Sequence, residues 1–74
     1  MQTYALVLVN QLTTAMLQYF KTILRKVSFS RELFEKELRK AIKSLITQEL
    51  EELKKWCFKE FGSKFQPILI RNFS

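Results

Sequence analysis

Residues 30–61 read SRELFEKELRKAIKSLITQELEELKKWCFKEF, and this stretch decides the fold class. Phe34, Leu38, Ala41/Ile42, Leu45/Ile46, Leu50, Leu53, Cys57 and Phe61 recur at helical spacing, which predicts helix with one apolar face. The phase holds a period of about 3.6 residues without drifting towards 3.5, so packing inside a bundle is expected rather than a long left-handed coiled coil. Ser30 suits an N-cap, Glu32 falls in the first turn, and Phe29 and Phe34 are spaced as a hydrophobic staple. Glu32–Lys36, Glu35–Arg39 and Glu51–Lys55 are four apart and add side-chain support to the same helical reading.

The apolar phase alone is compatible with one helix through the whole stretch. Thr47, followed by Gln48 and Glu49 and preceded by Lys43, has the chemistry of a new helix start, so a bend or short turn is expected there. Gly62, with Lys59 one turn earlier, reads as the stop.

Upstream, Ala5, Val9, Leu12, Met16, Phe20, Ile23 and Val27 make a second stripe, widened by Leu8 and Tyr19 on one shoulder and by Leu6, Leu17 and Leu24 on the other. A helix over about 5–26 follows, although residues 3–9 are also β-prone. Downstream, residues 65–73 contain Pro67 and then Ile68-Leu69-Ile70. A proline bars simple helix continuation, so residues 62–74 are expected to be an extended apolar tail that folds back or joins an interface. Pairing of residues 3–9 with this tail as strands would instead give β-α-α-β. The expected architecture is all-α: one small domain over 1–74, with helices at about 5–26, 30–46 and 48–61 and the tail after them.

Composition bounds the chemistry. The 74 residues include one Gly, one Pro and one Cys, with 47% apolar residues and seven Phe. An intramolecular disulfide framework is excluded by the single Cys, which points to a reducing, cytoplasmic setting. His and Asp do not occur, which removes most acid–base, triad and metal chemistry. One glycine cannot build a phosphate-cradling loop. Cys57 lies on the apolar stripe with no base to activate it, and reads as a buried, unreactive thiol. Glu49, Glu51 and Glu52 alternate with lysines and read as a solvated face. An enzyme is not expected, and neither is a cofactor or metal. The uncharged first twenty residues lack the basic flank and small-residue site of a secretory signal, and their polar positions interrupt a spanning run.

Partner calls rest on surfaces. Trp56 and Phe58 flank Cys57 on the helix, so both sides of the core stripe carry aromatic area that a chain this short covers with difficulty. Together with Phe65, Ile68 and Ile70 they form an expected interface for a homo-oligomer or another protein, unless the tail itself covers Trp56 and Phe58. The net charge is +6, concentrated at residues 21–43. Lys21, Arg25, Lys26, Lys36, Arg39, Lys40 and Lys43 are the candidate anion or nucleic-acid contacts, expected near one end of the molecule if the first two helices are antiparallel. No glycine is available for a helix-turn-helix turn, and residues 2–9 offer few polar groups to a base-reading strand. A membrane surface, met by the uncharged first helix with Lys21, Arg25 and Lys26 at the headgroups, is the third alternative. The leading expectation is a non-enzymatic, homodimeric interaction or regulatory protein.

Overall fold

The computed structural model describes residues 15–73, and among these it is all-α: α1 over residues 15–26, α2 Arg31–Ser44 and α3 Thr47–Phe73. The expected start of the first helix near residue 5 and the possible strand at 3–9 lie outside the described residues. The expected partner of that strand, residues 65–73, is helical.

The first break falls where the caps placed it. Val27 donates to the Ile23 carbonyl at 3.0 Å to close α1, and Ser30 donates to the Val27 carbonyl at 3.1 Å. Ser30 is extended (φ −133°, ψ 119°) and its Oγ accepts from the Leu33 amide at 3.3 Å, satisfying one of the open donors of α2. The Phe29–Phe34 staple does not form. The Phe34 ring is fully buried between Phe61 and Phe65 of α3, with centroids at 5.0 and 4.4 Å, and Phe29 is left 78% exposed.

The second break also occurs as expected, despite the unbroken apolar phase. Leu45 turns extended (φ −91°, ψ 145°) after donating to the Ala41 carbonyl. The Leu50 amide then bonds the Ile46 carbonyl at 2.9 Å, so α3 begins at Thr47. Without this reversal the stripe of α2 and that of α3 would point the same way along one rod, with nothing to bury against. With it, Phe34, Leu38, Ala41 and Leu45 meet Leu53, Cys57 and Phe61, and α1 adds Leu17, Phe20 and Leu24 to one continuous core.

The C-terminal third corrects the sequence reading. Gly62 does not stop the helix: its backbone is not left-handed, and α3 continues through it. Residues 62–73 are not an extended tail. Phe65 alone departs from helical angles (φ −123°, ψ 29°), two residues before Pro67. Pro67 has no amide hydrogen for the Ser63 carbonyl and its ring crowds that carbonyl. In the first turn after Phe65 neither defect matters, because amides there have no intrahelical acceptor anyway. The proline therefore starts a new helical arm.

That arm folds back. Phe58 and Phe73 sit on opposite sides of the kink with ring centroids 6.4 Å apart, whereas a straight helix would carry positions 58 and 73 about 22 Å apart at 1.5 Å per residue. Phe65, Ile68 and Leu69 are buried by the fold-back. Its polar edge closes on α2, where the Glu35 carboxylate accepts from Arg71 Nε at 3.0 Å and Asn72 Nδ2 at 2.8 Å, and Asn72 Oδ1 accepts from Arg39 Nε at 3.3 Å.

Candidate interaction surfaces

Of the five residues expected at an interface, the fold-back consumes most. Phe65 and Ile68 are core residues and cannot contact a partner, which corrects the sequence reading. The expectation had placed them on an extended segment; in a kinked helix the same residues face Phe34 and α2. Phe58 is half-buried beside Phe73. Trp56 is half-buried, edge-on to Phe61 at 5.5 Å, with Lys21 Nζ 5.8 Å and Arg25 Cζ 5.3 Å from its ring centroid. Ile70 alone is largely exposed, and it lines a shallow groove with Lys54, Phe58 and Phe73.

The basic set is divided between surfaces rather than gathered. Lys21 and Arg25 lie against Trp56 of α3. Lys36, Arg39, Lys40 and Lys43 line a shallow groove along α2 together with Glu32 and Glu35. Two of these four cations are paired: Arg39 with Glu35 at 3.5 Å, and Lys40 with Glu37 at 3.3 Å. Lys26 is exposed beside the α1–α2 turn.

The surface that the sequence marked only by the wide shoulders of the first helix, without naming contact residues, is on α1. The expected core line ran through Met16, Phe20, Ile23 and Val27; the buried line is Leu17, Phe20 and Leu24. The helix is thus rolled so that one shoulder meets the core, and Met16 (40% exposed) and Tyr19 (56%) face solvent. At about 100° per residue, Met16, Tyr19 and Ile23 occupy the flank of α1 opposite Lys21 and Arg25. That latter flank faces α3, so the apolar flank points away from α3. On α2, Glu35 and Arg39 face the C-terminal arm, and exposed Leu33 lies on the opposite flank of that helix. The signal was present in the sequence as excess width: an apolar stripe with two shoulders is broader than one helix–helix contact can cover.

Burial pushes the Cys57 thiol up to about 12, so it stays protonated near neutrality. Glu35 is held below its ordinary carboxylate value, first by the Asn72 hydrogen bond and then by Arg71. Among the described residues no group of three or more Cys or Glu side chains could hold a metal ion, and no helix is long and apolar enough to cross a membrane. No family model, curated protein or solved structure matches the chain.

Proposed function

We propose that the protein is a non-enzymatic helical interaction module that self-associates through the outer face of α1. One observation carries this reading: Met16 and Tyr19, both exposed, share one flank of α1 with half-buried Ile23, and Leu33 of α2 is exposed as well. Exposed contiguous apolar surface on a small chain marks an interface, and pairing two such chains enlarges a core that one chain can supply only in part. The sequence of residues 5–12 supports a longer stripe, since Ala5, Val9 and Leu12 are in phase with Met16 and Ile23 and no charge interrupts them. Trp56 and Phe58, the earlier interface candidates, are engaged within the chain.

The proposal is tested by sedimentation equilibrium over a concentration series. The expected result is reversible association into dimers, weakened by Tyr19→Ser with helical content unchanged. A monomer at every concentration up to the high micromolar range contradicts it.

A further inference from the structure

The turn between α1 and α2 forms one apex of the molecule, and two of its residues oppose the stability of the fold. Phe29 stands 78% exposed although the core takes every neighbouring Phe. Arg31 opens α2, where the positive end of the helix dipole disfavours a cation. Neither residue is explained by packing or capping, and departures of this kind collect at functional sites.

Around Phe29 the apex is cationic. Lys26, Arg31 and Lys64 are all exposed. Arg25 lends the turn only its carbonyl, which accepts from Ser28 Oγ at 2.9 Å, while its guanidinium lies over Trp56. Lys64 reaches the apex from α3: its Nζ donates to the Ser28 carbonyl at 2.8 Å and lies 5.2 Å from the Phe65 ring centroid. An ammonium has three donors, so this bond leaves Lys64 able to meet an anion as well. Glu32 is the acidic residue nearest in sequence to the apex.

We infer that this apex docks on an anionic lipid bilayer, with Phe29 entering the headgroup–acyl boundary and Lys26, Arg31 and Lys64 meeting acidic headgroups. An exposed aromatic in a turn that also carries exposed cations complements a deformable anionic surface, where apolar insertion and electrostatic attraction act together. Nucleic acid is the less suited anion. Its bases stack in a row, whereas Phe29 has no second exposed aromatic in the turn to continue a base stack. The apex is separate from the outer flank of α1, so docking does not depend on self-association.

The test is flotation of the full chain with phosphatidylcholine vesicles, with and without phosphatidylserine, at low and physiological salt. Binding is expected only with phosphatidylserine present and is expected to weaken with salt. Phe29→Ala should reduce it about tenfold, and Lys26→Gln with Arg31→Gln by about fivefold per charge removed. Neither variant touches the core, and thermal melts should show no loss of stability relative to the parent. Equal binding to both vesicle types, unchanged binding by Phe29→Ala, or tighter binding to a DNA duplex than to the anionic vesicles each overturns the inference. The Tyr19→Ser chain serves as the control for self-association and should float like the parent.

Discussion

The Glu35 carboxylate of α2 and the guanidinium of Arg71, thirty-six positions later in the chain, meet with Nη2 and Oε2 2.8 Å apart. This ion pair, with Asn72 and Arg39 around it, fastens the C-terminal arm at its polar edge while Ile68 and Leu69 hold it at its apolar one.

Glu35 gives the arm a pH dependence. Its folded-state value lies below the ordinary 4.5, so the contribution is complete above that value and is lost as the pH falls through the folded one. Acid titration followed by amide exchange should show residues 66–73 opening before the core of α2. In Glu35→Gln the arm should already be weakened at neutral pH, and the acid-dependent step should shrink.

The arm also distinguishes helix from strand at three consecutive residues. An extended tail would place Ile68 and Ile70 on one face; the helical arm buries Ile68 and Leu69 and leaves Ile70 51% exposed. Leu69→Ala should cost about 2–5 kcal/mol, and Ile70→Ala should stay within about 0.5 kcal/mol. Urea denaturation measures both.

How far the sequence revealed this fold can be followed residue by residue. Ser30, Leu45 and, Ile46 apart, the stripe from Phe34 to Phe61 behave as local pattern and capping chemistry require, because helical period and caps are set by residues within a few turns. Phe65, Ile68, Leu69, Asn72 and Phe73 also have helical spacing, but Pro67 and the β-branched isoleucines masked it. A proline reads as a stop when only the preceding helix is considered; here it serves the helix that follows. The roll of α1 was not legible either, since a stripe with two shoulders does not specify which line a neighbouring helix will cover. Candidate contacts fared accordingly. Phe65 and Ile68 were absorbed into the core while Ile70 stayed exposed, and the basic ones were dispersed over α1 and α2.

Gly62 lies mid-helix, and a Cβ built on it meets nothing within 4 Å. Gly62→Ala should therefore stabilise the protein by about 0.5–1 kcal/mol through helix propensity and loss of unfolded-state freedom. A decrease in the urea midpoint would show that the glycine is needed for something other than backbone freedom.

Cys57 is fully buried with its thiol pushed up to about 12. Modification by a thiol reagent should be slow at neutral pH and become fast only on unfolding. Cys57→Ser should cost about 1–3 kcal/mol, more than an isolated surface change, because a hydroxyl at that position has no provided partner.

Sedimentation equilibrium of three chains compares the two candidate interfaces directly: the parent, a Met16→Ser/Tyr19→Ser double variant, and Trp56→Ala. If the uncovered flank of α1 is the interaction surface, the parent associates, the double variant is monomeric with the same helical content, and folded Trp56→Ala still associates. A parent that remains monomeric, or a double variant that associates as strongly as the parent, contradicts the account.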